Sequence, residues 1–408
     1  MTIAKRKLIV VVGAGASIEL GMPSVNDIDT LFSSWSREHF LLDNNKTLYC
    51  HIKEVATNYY NSYPIENLRK ITNFEELLYI LYFLSSSLTD HRYENPINGF
   101  HDIRMYQDLK FKAENNVVSG HHFRKLSLHL IDQLLVEFKT RCTASMKDEN
   151  FHVFSKFINS LHNDFDVAFI TLNYDNLITQ ACPTLFTGFN HETGKFEPHS
   201  IYDREQWGMI YHLHGSIHFD MSDDANNLHE IKWTNNIDSC YFKNSINRNS
   251  QVTNEGINLP TSTIIAGYGK TSQIQRLPFR TYYSQLDSLM NKADAFLFLG
   301  YGFNDPHLNN SFYSIRHGAN PRPVVVIDWA NYGQFPLRYR EDDWSTRLHR
   351  AIPFEKIDMY ANQNIDRLKD KSEFEVSTNP DRPLSVWYNG FISACRAYDK
   401  VKLQLMPK

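Results

Sequence analysis

The sequence predicts a doubly wound α/β fold: a parallel sheet flanked by helices, with a helical insertion and a C-terminal appendage. Three observations predict it. Short apolar runs recur and each stops at a glycine or a polar residue. Helical patterns stand between those runs. The first run, ending at Val12, breaks into Gly13–Ala14–Gly15. Runs that are apolar on both faces read as buried parallel strands, and their alternation with helices is the signature of a doubly wound sheet.

The elements follow in order. Leu8 to Val12 is a first strand, followed by a polar, turn-forming segment through Gly21–Met22–Pro23–Ser24 and a helix start near Asn26–Asp27. From about residue 31 to 148 strand signals are missing. Leu77, Leu78, Leu81 and Leu84 make one amphipathic helix there, and Leu130, Leu134, Leu135 and Phe138 another, so this stretch reads as a helical insertion. Phe154, Phe157, Ile158 and Leu161 predict a helix ahead of a strand at Val167–Leu172. Further strands are expected at Met209–Leu213, Thr263–Ile265, Ala295–Leu299 and Val324–Ile327. Tyr282, Tyr283, Leu286, Leu289 and Met290 predict the helix before Ala295. Residues of about 220–260, rich in Asn, Ser and Asp, read as an irregular loop. The core domain is therefore placed at 1–330. Residues 331–408, with Trp344, Tyr360 and Trp387, read as a packed appendage or an oligomer contact.

Composition narrows the function. The chain has 408 residues, 42% of them hydrophobic and 22% charged, enough for a sizeable core. Its net charge of −4 argues against bare nucleic acid as the main partner. No apolar stretch approaches the ~20 residues of a membrane span. The basic start, Met1 to Lys7, leads into a short run ending in glycines, a first strand rather than a signal peptide. The five cysteines form no C-x-x-C pair, so a disulfide framework and a zinc knuckle are both unsupported, and a reducing cytoplasm is the expected location.

Candidates for chemistry sit at predicted strand ends, which share one crevice in an open parallel sheet. Gly13, Ala14 and Gly15 could bring backbone amides against a phosphate, or simply make a tight turn; the third glycine of the dinucleotide fingerprint is replaced by Ile18. His214 could take a proton from a ribose hydroxyl or water, or be a bonded core histidine. Asn173 is a structural bridge or a ligand contact. Asp175 could orient His214, meet a ligand amide, or cap a helix starting at Asn176. Gly300 and Gly302 form a second glycine loop after a strand, where Asn304 or Asp305 would cap the next helix with Pro306 in its first turn. Asp328 could hold a ribose hydroxyl or be an exposed strand-end carboxylate. His212 and His218 flank His214 without carboxylate or cysteine company, so no metal is expected.

Together these pieces resemble the sirtuin superfamily. Gly13–Ala14–Gly15–Ala16–Ser17 with Gly21–Met22–Pro23 is similar to its Gly-Ala-Gly-x-Ser…Gly-x-Pro loop. Thr171–Leu172–Asn173–Tyr174–Asp175 is similar to its Thr-Gln-Asn-x-Asp, and His214–Gly215–Ser216 to its His-Gly. Gly300–Tyr301–Gly302 stands in the place of its Gly-Thr-Ser, and Val324 to Asp328 resembles its last ribose-binding strand. The order agrees across about residues 7–330. Two departures matter. Ser24–Val25–Asn26 replaces the Asp-Phe-Arg of the deacylating members, and their four-cysteine zinc module is missing, since residues 217–262 hold only Cys240. The Gly-Tyr-Gly-Phe-Asn-Asp-Pro-His-Leu and Asn-Phe-Glu-Glu-Leu-Leu stretches instead resemble the sirtuin-like domains of bacterial anti-phage systems, and the length is similar to that of the sirtuin subunit that assembles with a HerA-type hexameric ATPase.

The resemblance implies a Rossmann-like fold of sirtuin type and an NAD glycohydrolase that depletes NAD in anti-phage defence. NAD is then substrate, with no metal. Gly13, Ala14 and Gly15 would cradle the diphosphate. Ser17 and Asp175 would line the nicotinamide pocket. Asn173 would position the ribose or a water, His214 would act as base, and Gly300, Gly302 and Asp328 would hold the adenosine half. A homo-oligomer is expected. The other readings are a non-catalytic NAD- or ADP-ribose-sensing subunit gating a partner ATPase and, third, a protein deacylase.

Overall fold

The structure is a computed structural model. It describes residues 4–37, 40–62, 73–87, 109–112, 117–221, 230–239, 251–252, 258–259, 262–267, 270–318, 320–330, 343–352, 373–377 and 379–407. Most of the 220–260 stretch and parts of the tail, Tyr360 included, lie outside these residues, as does Cys240. In chain order the elements are β1 (Lys7–Val12), α1 (Ala14–Ile18), α2 (Val25–Trp35), α3 (Leu48–Ser62), α4 (Phe74–Ser87), α5 (Gly120–Ser145) and α6 (Glu149–Asp164). Next come β2 (Asp166–Thr171), α7 (Leu177–Ala181), α8 (Pro198–Tyr202), β3 (Met209–His212), β4 (Phe219–Met221), β5 (Ile231–Trp233), β6 (Gln251–Val252) and β7 (Asn258–Leu259). The remainder are α9 (Lys270–Ile274), α10 (Phe279–Lys292), β8 (Ala295–Leu299), α11 (Pro306–Asn310), α12 (Tyr313–His317), β9 (Val324–Ile327), α13 (Asp343–Ala351), β10 (Glu375–Val376), β11 (Leu384–Trp387), α14 (Phe391–Arg396) and α15 (Tyr398–Leu405).

The chain divides into two units. The first comprises Met1–Met22, Thr140–Ser216 and Leu277–Lys408. Its centre is a seven-stranded sheet in the order β10-β11-β9-β8-β1-β2-β3, parallel except for β10. Leu8 to Val11 are fully buried, as expected of a strand covered on both faces. β1 pairs with β2 on one side, Val12 opposite Thr171, and with β8 on the other, Val12 opposite Leu299. From β1 the chain builds outward through β2 and β3, then returns to build β8, β9 and β11 on the other side. The boundary between β1 and β8 is thus the topological switch point, where open α/β sheets form their ligand crevice.

The helices of this unit follow their predicted faces. Asp148 caps α6 by accepting from the Asn150 amide, and Phe151, Phe154, Phe157, Ile158 and Leu161 are buried. Each such side chain contributes about 1.5–3 kcal/mol of burial. Phe391 of α14 meets Phe154 and Phe157 edge-on at 5.9 and 5.8 Å. Glu19 accepts from the Phe391 and Ile392 amides at 2.5 and 3.3 Å, tying the start of α14 to the turn after α1.

The second unit, Pro23–Lys139 with Ile217–Arg276, gathers the helices of the insertion together with the described parts of 217–276. Ser24 and Asp27 form a reciprocal capping box on α2, which fixes the helix start expected near Asn26–Asp27. Phe32 packs against Tyr49 and Phe74 at 5.8 and 5.7 Å, edge to face. β4 and β5 make a short antiparallel pair, and so do β6 and β7.

Three expectations need adjustment. Thr263–Ile265 is buried but not a strand; it belongs to the second unit and forms bends. Three residues, two of them apolar, cannot separate a strand from an irregular buried segment. A five-residue helix, α1, begins directly after the first glycine, where a turn was expected. The sheet also does not end at Val324–Ile327: β11 pairs with β9 in parallel, Leu384 opposite Val324, and β10 extends it further. Leu384–Trp387 is only four residues long and carries Ser385, which hid it within the tail.

Candidate functional site

Every predicted site residue belongs to the first unit, and most collect around the carboxyl ends of β1, β2, β3 and β8. The first feature there is a junction of two glycine turns. The Gly13 amide donates to Leu299 O at 2.9 Å, and the Gly15 amide to Gly300 O at 3.0 Å. A Cβ on Gly13 would stand 2.6 Å from Gly300 O, and one on Gly15 would stand 2.9 Å from Gly300 Cα. A Cβ on Gly300, whose φ is +55°, would stand 2.1 Å from the Ala16 amide nitrogen. These glycines are required by the protein's own close packing. Two of the three amides expected to face a phosphate are already spent on the β8 turn. Ala14 opens α1, so its amide has no acceptor within that helix.

The second feature is a directed hydrogen-bond chain. The Asn173 amide nitrogen donates to Gly13 O at 3.0 Å and to Ser17 Oγ at 2.9 Å. Ser17 Oγ donates in turn to Asp175 Oδ2 at 2.7 Å. Asp175 Oδ1 accepts from the Leu177 amide at 3.2 Å, opening α7. Gly13 O can only accept, so Nδ2 of Asn173 must face it, and Oδ1 is the atom left for other partners. All three side chains are buried. Burial pushes the Asp175 carboxyl above the usual carboxylate range, against the opposing bonds from Ser17, Leu177 and Asn173. Asp175 anchors Ser17 and is not the N-cap of α7: that residue is Asn176, which makes no side-chain cap bond, and Asp175 accepts the Leu177 amide from one position earlier.

The third feature surrounds His214. It follows β3, ahead of Gly215, whose φ of +102° makes the turn possible. Nε2 of His214 lies 3.0 Å from Asp305 Oδ2, with both side chains 5% exposed. The contact is ionic in distance without the line of an aligned N–H···O bond. Asp305 Oδ1 accepts from the Leu308 amide at 3.0 Å, capping α11, with Pro306 in its first turn. Tyr301 Oη donates to Asn309 Oδ1 at 2.8 Å beside it. The Tyr283 hydroxyl, from α10, is buried without a hydrogen-bond partner among the described residues. Burial and then the Asp305 charge raise that phenol well above its usual value. It is Asp305, rather than Asp175, that the structure places against His214.

Gly302 and Asp328 stand apart from these clusters. A Cβ on Gly302 would meet nothing within 4 Å, and its carbonyl accepts from Arg347 Nε of α13 at 2.9 Å. Phe303 holds a φ of 53° and packs on Trp344 at 6.1 Å. Asp328, half-buried at the end of β9, accepts the Trp329 amide at 2.8 Å and lies two strands from β1. Among the described residues, no group of three or more His, Cys, Asp or Glu is placed to hold a metal ion.

Sequence reasoning missed Asp305 as a partner of His214, read Tyr283 only as part of the apolar face of a helix, and missed Arg347 altogether. The only available signal was that Asp305 shares the loop of Gly300 and Gly302 and was already a helix-cap candidate.

Similar structures include a Sir2 homologue–NAD complex, 13% identical over 85% of this chain and 90% of that one, TM-score 0.35. Another is Sir2Tm bound to a propionylated peptide, 12% identical over 85% and 93%, TM-score 0.33. Among curated proteins, none matches this chain. Residues 167–348, which hold Asn173, Asp175, His214, Gly300, Gly302, Asp305 and Asp328, match the family model of the SIR2-like domain.

Proposed function

We propose that this chain is a sirtuin-superfamily enzyme that takes NAD as substrate and hydrolyses its nicotinamide–ribose bond. The observation that carries the reading is the buried chain Asn173–Ser17–Asp175 past the ends of β1 and β2, one strand over from the switch point and within one unit with His214. Nicotinamide leaves a ribosyl cation behind, so the site must stabilise positive charge and admit one water. Hydrogen bonds in a chain polarise one another. The Asp175 oxygen accepts from the Ser17 hydroxyl, whose oxygen accepts from the Asn173 amide, and the Asn173 carbonyl oxygen becomes a stronger acceptor. That oxygen would orient the attacking water or a ribose hydroxyl. His214 would accept the proton that water or hydroxyl gives up. Ala14 would supply an amide to the diphosphate, and Gly302, open on its Cβ side, would let the adenosine half approach. Asp328 would accept from a ribose hydroxyl.

The wider role follows from the resemblance alone: NAD depletion in anti-phage defence, in the cytoplasm, by a homo-oligomer that pairs with a HerA-type ATPase. No helix among the described residues is long and apolar enough to cross a membrane. The decisive experiment incubates the purified chain with NAD, with and without a candidate ATPase, and follows nicotinamide, ADP-ribose and acyl-peptide loss. Nicotinamide and ADP-ribose should appear together. His214→Ala and Asn173→Ala should each lose at least about 10²-fold in turnover while keeping their circular dichroism spectra. Near-wild-type turnover in both variants overturns the assignment. NAD binding without release identifies a sensing subunit, and acyl loss a deacylase.

A further inference from the structure

We propose that Asp305 is the positioning residue of His214: its carboxylate fixes which imidazole nitrogen carries the proton and leaves the other as the base. This rests on the reading of His214 as the proton acceptor. The geometry divides the carboxylate between two tasks. Oδ1 is held by the Leu308 amide at the start of α11, so the group cannot rotate freely. Oδ2 is thereby presented to His214 Nε2 at 3.0 Å. Both side chains are buried, which removes the water that would otherwise compete for the imidazole. The contact lies off the N–H···O line, so charge rather than a formed hydrogen bond does the selecting: a carboxylate oxygen 3.0 Å away favours the proton on Nε2 over a lone pair there, and leaves the lone pair on Nδ1. The same logic operates wherever an acid orients a catalytic histidine. The backbone around Asp305 is also pinned, because Tyr301 Oη bonds both Asp305 O at 3.3 Å and Asn309 Oδ1 at 2.8 Å.

A helix cap alone would explain Oδ1 but not the placement of Oδ2. Asp305→Asn separates the two. Asn caps a helix about as well as Asp, so the Leu308 bond survives while the charge against His214 is lost. Its amide would also face Nε2 with a donor, driving the proton to Nδ1. Two measurements on the full chain decide the matter. In the first, selectively 15N-labelled histidine spectra of wild type, Asp305→Asn and His214→Gln identify the His214 signals by difference. Wild type should show Nε2 protonated and Nδ1 bare, and Asp305→Asn should reverse this. In the second, nicotinamide release from NAD should fall about 10²-fold in kcat for Asp305→Asn, with KM changed less than about threefold and the melting temperature unmoved. Identical His214 signals in wild type and Asp305→Asn, or an unchanged kcat, reduce Asp305 to a cap and overturn the proposal. If wild type releases no nicotinamide, the hydrolase reading fails, and the spectra still decide the role of Asp305.

Discussion

Gly300 and Gly302 lie two residues apart in one loop, yet the structure gives them different reasons to be glycine. Gly300 has φ +55°, and a Cβ there would press to 2.1 Å from the Ala16 nitrogen and 2.4 Å from the Gly15 carbonyl carbon. Both are backbone atoms of the turn that follows β1, so no side-chain rotation relieves the clash. The left-handed conformation costs an L-residue about 1–2 kcal/mol. Overpacking against fixed backbone adds about 1–3 kcal/mol. Gly300→Ala should therefore lose about 2–5 kcal/mol, a large part of a typical stability of about 5–15 kcal/mol. Gly302 is the opposite case: a Cβ meets nothing within 4 Å and φ lies outside the left-handed region. Gly302→Ala should stabilise by about 0.4–1 kcal/mol, through the restricted unfolded chain. On the NAD reading its methyl enters ligand space and raises KM by about tenfold or more. Urea titration followed by far-UV circular dichroism measures the first pair of numbers, and nicotinamide release against NAD concentration measures the last. A Gly300→Ala protein as stable as wild type would refute the packing argument. A Gly302→Ala protein with unchanged KM would remove Gly302 from the ligand site.

Two further predictions concern buried polar groups. The Asp175 carboxyl is raised by burial, so the folded chain holds its proton more tightly than the unfolded chain. Its contribution is complete below the ordinary carboxylate value of about 3.9 and is lost as pH rises through the folded value. The melting-temperature advantage of wild type over Asp175→Asn should shrink as pH rises from about 4 towards neutrality, and an advantage that grows with pH would contradict this. Tyr283→Phe removes a buried hydroxyl that has no partner among the described residues, so it should gain about 1 kcal/mol in urea titration; a loss of stability would mean that the hydroxyl is bonded.

Much of the fold was legible because it is written in runs of apolar residues. β1, β2, β3, β8 and β9 all sit within a residue or so of their apolar runs, and α6 and α10 bury the faces their spacing assigns. The convergence of Ser17, Asn173 and Asp175 was legible for a general reason: strands β1 and β2 are neighbours, so the residues just past their ends meet. The His214–Asp305 contact was not. His214 follows β3 and Asp305 follows β8, and β2 and β1 lie between those strands. At about 4.8 Å per strand, their ends stand roughly 14 Å apart. Only the paths of residues 213–214 and 300–305 close that gap, and no spacing rule encodes such a path. β11 was missed for a different reason. Its place beside β9 comes from long-range pairing, while its four residues carry little local signal.

Several costs carried by this unit stand near the carboxyl ends of its central strands. Leu8 to Val11, Val167 to Ile170 and Ala295 to Leu299 are fully buried and apolar, so the sheet interior asks nothing unusual of the chain. Just past the strand ends stand a buried carboxyl held above its usual pKa and a non-glycine residue at φ 53°, and near Asp305, on α10, stands a buried phenol with no hydrogen-bond partner among the described residues. A buried polar bridge between β1 and β2 is a poor device for stability, since well-packed apolar side chains of similar volume often serve as well or better. The bridge seen here is also directional. It runs from the Asp175 carboxyl through the Ser17 hydroxyl to the Asn173 amide, and ends in a carbonyl oxygen strengthened as an acceptor. An apolar replacement would hold the strands together but could not deliver that oxygen. A local rule broken without a gain in stability marks a site that stability alone does not explain. The Asn173 acceptor is the part of the site that such a replacement would abolish, and its loss is what Asn173→Ala measures.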